Sequence, residues 1–451
     1  MPTPMAWNQL LSARRQGDPI EQDPTFGRTA YQRDFDRIVY SSAFRRLQDK
    51  TQVFPLSKSD FVRTRLTHSL EASCIGRSLG TEVARRLNEN LPKDFTPPDM
   101  GSIVAAACLA HDIGNPPFGH SGEAAIRQWF KGEGEDTVKD LPEEKKKDFE
   151  TFEGNAQGFR ILTRLQNPTN SGLHLTYATL AALTKYPMAS HIISDTDIRQ
   201  EDKWKKYGYF QAEIEYFKEV AERVGLLQTY PHHSLWSRHP LAFLVEAADD
   251  IAYLINDFED GFRLKCIQSE EVISHFKEIL GEADISLRVE TMSDEDKISH
   301  LRGRVINTLI DQVATCFMDH LQEMMRGGFH KKLTDLIPKE DVLKRIREIS
   351  QEKIYSSKKA LEVEVPAFAV LAGLLREFIS AVNDVAENRN CEKSKKLVKL
   401  IPPQFLNREN QQPGQDNYTR ILQVTDFVSG MTDSFAVSLY KQITGISLRG
   451  Y

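Results

Sequence analysis

Four residues of this chain have side chains that suit a divalent metal ion. His111 and Asp112 are adjacent, His68 precedes them and Asp249 follows far along the chain. Two imidazoles and two carboxylates form a mixed nitrogen and oxygen set suited to Mn, Fe, Zn or Mg. Four protein ligands leave room for water or substrate on an octahedral ion. One His-Asp pair alone is more often a satisfied pair at a helix end, so the prediction depends on the whole set.

A second pair of residues has the types needed for acid–base chemistry. His120 and Glu123 are three positions apart, so they come within reach of each other if a helix begins there. The neighbours Gly119 and Ser121 are small and leave the imidazole accessible. The pattern predicts that His120 is a general acid oriented by Glu123. The alternative is a histidine that only caps a loop.

The elements that must position these residues are mainly helices. Residues 103–110 are all apolar and predict a buried helix that delivers His111 and Asp112 at its end. Gly114, Pro116, Pro117 and Gly119 then break the helix.

Residues 240–262 predict a second buried helix, with Asp249, Tyr253 and Asp257 at i, i+4 and i+8 on one face. Asp250 points to a different side of that helix, and the choice between Asp249 and Asp250 as the ligand stays open on spacing alone. Residues 63–79 predict another helix, on which Arg65 shares a face with His68.

The remaining segments also predict a mostly α protein. Helical patterns cover residues 35–48, 175–183 and, beyond 265, residues 270–280, 296–325, 338–351 and 365–388, with a short helix near 7–15. Residues 48–55 are expected to be extended, and the mixed charge run at 131–148 is expected to be a solvated insertion. The sequence has no GxxxxGK[ST] or HExxH motif.

Composition limits the class of protein further. The 451 residues suggest two or three domains at roughly 150 residues each. Lys and Arg number 58 against 64 Asp and Glu, and this net charge of −6 argues against general nucleic-acid coating. Five scattered cysteines, with Cys74 and Cys108 in apolar patterns, suggest buried thiols in a reducing compartment. No apolar run approaches a membrane span and no signal pattern opens the chain, so we expect a cytoplasmic protein with no membrane partner.

Several long motifs in a fixed order resemble the HD-domain superfamily and, more narrowly, the deoxyguanosine-triphosphate triphosphohydrolase family. These motifs are residues 41–55, 63–71, 111–123, 152–158 and 246–253, with a weaker C-terminal match at 424–433. The resemblance implies an all-α fold, an HD-domain helical bundle elaborated by additional C-terminal helices. It implies an N-terminal arm at 1–34, an HD catalytic core at 35–265 and a C-terminal helical region at 266–451 packed on the core.

The resemblance also assigns roles to residues. It implies that His68, His111, Asp112 and Asp249 bind the metal and that His120 and Glu123 are catalytic. Its implied substrate contacts are Gln52 to base and sugar, Arg65 to phosphate, Asn115 and Asn155 to the site, Lys185 and Tyr186 to the triphosphate, and Tyr253 and Asp257 to the deoxyribose. From sequence alone, solvent exposure is the favoured interpretation of Gln52. For Lys185 and Tyr186, a surface lysine with an anchoring tyrosine is about as well supported as a position in a pocket.

The implied reaction converts a deoxynucleoside triphosphate (dNTP), dGTP or several dNTPs, to deoxynucleoside and inorganic triphosphate. The implied cofactor is a divalent metal, Mn, Mg or Fe, with Zn or Co as further candidates. Implied partners are a dNTP allosteric activator and copies of the same chain in a dimer, tetramer or hexamer; a small basic patch at 392–399 adds single-stranded nucleic acid as a weaker candidate. The alternatives are an HD phosphodiesterase or 5′-nucleotidase, and a non-catalytic dNTP sensor.

Overall fold

The computed structural model describes residues 3–17, 27–52, 63–167, 172–194, 206–229, 234–281, 292–356, 358–407 and 410–447. Over these ranges the chain is helical, with isolated bridges and no strand. This confirms the predicted all-α class.

The first half of the chain contains α1 (Trp7–Leu10), α2 (Ala30–Tyr40), α3 (Ser42–Arg46), α4 (Arg65–Leu87), α5 (Pro97–Ala110), α6 (Gly119–Lys131), α7 (Glu135–Val138), α8 (Glu143–Glu150), α9 (Gly154–Arg160), α10 (Tyr177–Leu183) and α11 (Ile214–Val224). The second half contains α12 (Pro240–Arg263), α13 (Ser269–Leu280), α14 (Asp294–Met325), α15 (Glu340–Ser350), α16 (Lys358–Ala386), α17 (Glu392–Val398), α18 (Asn417–Ser429) and α19 (Asp433–Ile443). Short π-helical turns extend α9 at Ile161–Leu165 and α15 at Gln351–Tyr355.

Helix α5 lies at the centre of the fold. Its residues from Ile103 to Ala110 are all buried, which confirms the prediction from the unbroken apolar run. Thr96 and Asp99 form a capping box at its start, and Pro97 occupies the first turn, where its missing N–H costs nothing. Because α5 packs against α2, α4, α10 and α12, its carboxyl end is enclosed by the helices that carry the other candidate ligands.

Several local predictions need correction near the N-terminus. The helix expected at 35–48 begins earlier, at Ala30, and is interrupted at Ser41, whose hydroxyl accepts from the Phe44 N–H and starts α3. The segment expected to be extended at 48–55 instead begins inside a 3₁₀ turn at Leu47–Asp49, while Thr51 pairs with Thr64 in an isolated bridge. Residues 53–55 of that segment lie outside the described residues. The first helix ends at Leu10, short of the expected position 15.

The charge run at 131–148 is not simply solvated. It forms α7 and most of α8, and Asp148 at its end is fully buried. The Asp148 carboxylate accepts hydrogen bonds from Ser190 Oγ at 2.5 Å, Tyr418 Oη at 2.6 Å and the Gln211 N–H at 2.9 Å. The mixed charges predict a solvated segment. The burial of Asp148 depends on neighbours from distant parts of the chain, which the local pattern does not indicate.

The burial of the cysteines differs in part from the prediction. Cys108 is buried in α5 as expected, whereas Cys74 is exposed on α4. All five cysteines lie in the described part of the chain and none forms a disulfide. The prediction failed for Cys74 because α4 buries only one of its faces and Cys74 lies on the other.

One helix is long and apolar enough to contradict the prediction that no segment approaches the length of a membrane span. Within the described residues, Glu364–Ala386 of α16 meets the length and composition of a membrane span, and 56% of its most apolar window is buried inside the protein. Core helices meet the same criteria, so this is weak evidence for a membrane segment. The buried side of α16 packs against α6, α17 and α18, which joins the C-terminal helices to the helix that begins beside His120. The division at residues 34 and 265 stays a prediction.

Candidate active site

The four predicted metal ligands come from three helices and meet at one point. His111 caps the carboxyl end of α5 and Asp112 follows it, His68 lies in the first turn of α4, and Asp249 lies midway along α12. Ligand atoms of His68, His111 and Asp112 lie within 4.8 Å of one another. Asp249 Oδ1 is 3.1 Å from His68 Nε2 and 3.4 Å from His111 Nε2. We call these four residues the His-Asp cluster.

The chemistry of the His-Asp cluster fits a cation. His111 Nδ1 lies 2.6 Å from the Cys108 carbonyl oxygen, and because a carbonyl only accepts, Nδ1 carries the proton. The lone pair of His111 Nε2 in the neutral ring then faces oxygens of Asp112 and Asp249, at 3.5 and 3.4 Å. Acceptors facing acceptors require a proton or a metal ion between them. Burial opposes protonation of His111, but the two carboxylates outweigh it and raise its pKa to about 9, as expected where positive charge is favoured.

Asp112 is held by two of the residues predicted to bind substrate. Arg65 Nη1 donates to Asp112 Oδ2 at 2.6 Å, and Asn115 Nδ2 donates to Oδ1 at 2.5 Å. Burial acts to raise the pKa of Asp112, but Arg65 and His111 outweigh it and hold the pKa well below its usual range. Arg65 and Asn115 therefore orient a candidate ligand, as partners in the outer shell of metal sites do. Their contact with a phosphate stays a prediction.

The ambiguity between Asp249 and Asp250 has a geometric answer. Asp250 turns away from the imidazoles and accepts from Lys332 Nζ at 3.0 Å and from Thr334 Oγ1 at 2.8 Å. These partners follow α14, beyond the predicted core. Asp249 is the carboxylate brought to both histidines, and the ligand role assigned to it stays a proposal.

His120 and Glu123 form a pair beside the His-Asp cluster. They lie in the first two turns of α6, and His120 Nδ1 donates to Glu123 Oε2 at 3.0 Å. The His120 side chain is 78% exposed, whereas Glu123 is buried. The second oxygen of Glu123 accepts from the Gly154 N–H at 2.7 Å. Burial acts to raise the pKa of Glu123, but its hydrogen bond with His120 lowers it overall, so the carboxylate is the stable form.

The start of α6 has an unusual backbone. Phe118 adopts a left-handed conformation at φ 64° and ψ 16°, and Gly119 follows at φ 57°. For a residue with a side chain, such a conformation costs about 1–2 kcal/mol. A Cβ atom on Gly119 would lie 2.5 Å from Arg65 Nη2, so the glycine permits the close approach of Arg65. Two sharp backbone turns thus deliver His120 to the pocket.

A cavity of about 420 Å³ lies on one side of the His-Asp cluster. Its wall includes predicted residues Gln52, Arg65, His68, Asp112, His120, Asp249 and Tyr253, together with Thr51, Phe118, Ser121, Asp250, Gln351, Tyr355 and Glu364. The Gln52 side-chain oxygen is buried and has no hydrogen-bond partner among the described residues. A buried amide oxygen without a partner is costly, so it suits a bound molecule that donates to it.

The tyrosines of this cavity form a stack. The rings of Tyr253 and Tyr355 are 5.3 Å apart and nearly parallel, at 14°. The Tyr355 hydroxyl donates to Asp257 Oδ2 at 2.9 Å, and Asp257 is buried. Burial raises the pKa of Asp257 to about 7 although His68 and the Tyr355 hydroxyl oppose the shift. Tyr253 thus faces the cavity, while Asp257 has one oxygen occupied by Tyr355, and its predicted contact with a sugar remains untested.

A second cavity, of about 220 Å³, lies on the other side of the His-Asp cluster. It is lined by predicted residues His111, Asp112, Asn115, His120, Glu123, Asn155, Lys185, Tyr186 and Asp249, and by Glu153, Leu183, Lys206, Ala242, Val245 and Glu246. Lys185 Nζ lies 3.0 Å from Glu246, and Lys206 Nζ lies 3.5 Å from Glu153. Asn155 Nδ2 donates to Glu153 at 2.8 Å. Two ammonium groups therefore line this smaller cavity.

Some wall residues had no sequence signal. Lys206 belongs to an irregular polar stretch, and Tyr355 and Glu364 lie between the helices predicted at 338–351 and 365–388. The Glu364 carboxylate accepts from Ser121 Oγ at 2.9 Å, which joins α16 to α6 at the cavity rim. Only chain packing brings these residues to the site.

The helical fold and the His-Asp cluster agree with the HD class of phosphohydrolases, whose domains are metal-dependent hydrolases. The HD domain family matches residues 65–169, and the phosphohydrolase-associated domain family matches residues 338–442. The chain belongs to the family of deoxyguanosinetriphosphate triphosphohydrolase-like proteins. It is 45% identical to the protein of that name from Synechocystis sp., over 98% of this chain and all of the relative.

Other relatives are similar to this chain over nearly the same length. The deoxyguanosinetriphosphate triphosphohydrolase-like protein of Pseudomonas aeruginosa is 38% identical, over 98% of this chain and 99% of its own. The deoxyguanosinetriphosphate triphosphohydrolase of Enterobacter sp. is 30% identical, over 92% of this chain and 94% of its own. Coverage of both chains extends the similarity well beyond the HD domain, into the C-terminal helices.

Proposed function

We propose that this protein is a metal-dependent hydrolase that converts a dNTP to a deoxynucleoside and inorganic triphosphate. The observation that carries the proposal is the pair of cavities that meet at the His-Asp cluster. The larger cavity offers tyrosine rings and the Gln52 amide, which suit a base and sugar. The smaller offers Lys185 and Lys206, which suit a polyphosphate. A molecule that spans both cavities has its α-phosphate at the junction.

The volumes support this orientation. The larger, tyrosine-lined space of about 420 Å³ suits a nucleoside, and the smaller space of about 220 Å³ suits a triphosphate chain. Each lysine already faces a glutamate, so the ammonium groups are held on the wall before substrate arrives. Hydrolysis at the junction releases the whole triphosphate, whereas attack at the γ-phosphate would need the His-Asp cluster at the far end of the second cavity.

The metal proposal rests on the four residues of the His-Asp cluster. A bound divalent ion would supply Lewis acidity, activating water and neutralising charge on a phosphoryl oxygen. We propose Mn, Mg or Fe, because a set of two imidazoles and two carboxylates suits borderline to hard ions. Arg65 and Asn115 keep Asp112 ionised and oriented for this role.

His120 is proposed as the general acid. Cleavage at the α-phosphorus leaves the 5′ oxygen of the deoxynucleoside with negative charge, and this oxygen needs a proton. The Nδ1 proton of His120 is engaged by Glu123, so the exposed Nε2 is the atom that donates. The same arrangement keeps Glu123 away from solvent and fixes the direction of the ring.

The test is product analysis with each dNTP, alone and in pairs, in the presence of Mn or Mg. We expect deoxynucleoside and triphosphate, lost in His111→Ala. Activity that requires a pair of nucleotides would show that one of the two is an allosteric activator. Release of pyrophosphate or monophosphate, or hydrolysis of monophosphates alone, refutes the proposal in favour of another HD phosphohydrolase, and binding without products favours a sensor.

A further inference from the structure

A short C-terminal segment contacts the backbone that carries the catalytic pair. Asp433, the first residue of α19, is 1% exposed and accepts hydrogen bonds with both carboxylate oxygens. Oδ1 accepts from the Phe118 N–H at 2.9 Å, and Oδ2 accepts from the Thr51 N–H at 3.0 Å and from the Thr51 hydroxyl. One carboxylate thus joins the residue before Gln52 to the residue that precedes Gly119 and His120.

Lys50 makes a second connection between the same parts. Its buried ammonium donates to the Asn115 carbonyl oxygen at 2.5 Å and to the Ser429 carbonyl oxygen at 3.1 Å. Asn115 also holds Asp112 through its side chain. Lys50 and Asp433 therefore hold the two ends of the segment from Asn115 to Phe118.

The segment needs such support because its backbone is not in a relaxed conformation. Phe118 occupies the left-handed region of backbone conformation, which is unfavourable for a residue with a Cβ atom and is adopted readily only by glycine. A hydrogen bond from its N–H to a buried carboxylate favours this conformation over the extended and right-handed alternatives. If Phe118 relaxes, α6 starts in a different direction and His120 moves with it.

We propose that Asp433 and Lys50 are positioning residues, through which the C-terminal phosphohydrolase-associated region sets the geometry of Gln52 and His120. This inference rests on the proposed function and adds a task for the C-terminal helices beyond scaffold. Neither residue is predicted to touch the reacting atoms. Their effect passes through the backbone at Thr51, Asn115 and Phe118.

The central variant is Asp433→Asn. The amide keeps one acceptor oxygen, so either the Phe118 N–H or the Thr51 N–H faces an NH₂ group and loses its hydrogen bond. We expect kcat to fall about 100-fold, the size of effect that a misplacement of about 1 Å produces. We expect the bound Mn per chain to stay at the wild-type value, because the His-Asp cluster is not altered. Asp433→Glu, which keeps the carboxylate, should recover part of kcat.

Ser434→Ala is the matched control. Ser434 is the next residue, and its hydroxyl donates to exposed Asp49 at 2.9 Å, in the same segment that precedes Gln52. It makes no described contact with Phe118, so its kcat should match wild type. Lys50→Met provides the second test, with a similar fall in kcat. Folding is followed by thermal unfolding in every variant.

Hydrogen exchange gives a readout that does not depend on turnover. The amides of Asn115, Phe118, Gly119 and His120 should exchange faster in Asp433→Asn than in wild type, and at the wild-type rate in Ser434→Ala. A folded Asp433→Asn with kcat within about twofold of wild type and unchanged exchange at these amides overturns the proposal. Failure of both Asp433→Asn and Lys50→Met to fold also overturns it, because the role is then purely structural. If wild type releases no triphosphate, the proposed function fails by itself, and exchange still decides the positioning role.

Discussion

Replacing Glu123 with glutamine tests the acid–base pair at a single atom. The Gly154 N–H is buried and can only donate, so the one oxygen of the new amide is expected to stay with it. The NH₂ group then faces His120 Nδ1, where Glu123 Oε2 now accepts at 3.0 Å. Two donors oppose each other, and the imidazolium form of His120 loses its partner.

The size of the effect follows from this lost contact. Hydrogen bonds to charged groups contribute about 1.5–3 kcal/mol. Because the His120 side chain is 78% exposed, the lower part of that range applies, about 1.5–2 kcal/mol. At about 1.4 kcal/mol per factor of ten, kcat should fall about 10- to 30-fold. KM and metal content should change little, since Glu123 is not part of the His-Asp cluster.

The assay is steady-state release of deoxynucleoside by Glu123→Gln, His120→Ala and the double variant. If Glu123 acts only through His120, the Glu123→Gln substitution costs nothing further once His120 is alanine. His120→Ala alone should retain metal and substrate while turnover collapses. An equal loss from Glu123→Gln in both backgrounds, or a loss of metal from either variant, would refute the assigned roles.

Three further predictions test other parts of the site and fold. His111→Ala should lose both turnover and bound Mn, measured by metal analysis of the purified protein, whereas retention of stoichiometric metal would exclude His111 as a ligand. Lys206→Ala should raise KM for a dNTP about 10-fold with little change in kcat, because a charged contact to polyphosphate is lost; the exposed Lys139, paired with Asp136, provides a control whose alanine variant should match wild type. Burial raises the pKa of Asp148 to about 7, against about 3.9 in an unfolded chain, so its contribution to stability is greatest below pH 4 and declines as the pH rises to 7, by up to about 4 kcal/mol. Urea unfolding of wild type and Asp148→Asn across that range measures this difference in slope, and equal slopes would contradict it.

Much of the fold could be predicted because the buried helices carry strong patterns. The run from Ile103 to Ala110 has no polar residue, and only a buried helix accommodates it. The helix from Pro240 to Arg263 was equally predictable from its apolar positions and from the proline in its first turn. Boundaries were less certain near Ser41, where one hydroxyl ends α2 and begins α3 without interrupting the apolar pattern.

Packing between distant segments could not be predicted in the same way. Cys74 lies in an apolar pattern but on the outer face of α4, and Asp148 lies in a charge run but is buried. Both outcomes depend on which neighbour covers the residue. Lys206, Tyr355 and Glu364 reach the cavities from segments whose local sequence indicates nothing about a site.

The sequence by itself determined the chemical types at the site and the helices that carry them. Two of these features are local in the sequence: His111 and Asp112 are adjacent at the end of an apolar run, and His120 and Glu123 are three residues apart. Helix geometry alone predicts which of these side chains lie near each other. The tertiary structure decided the rest: that Asp249 and not Asp250 meets the histidines, that Arg65 holds Asp112, and that two cavities join at the His-Asp cluster. These outcomes depend on how α4, α5 and α12 pack, and contacts between residues far apart in sequence leave no periodic signal along the chain.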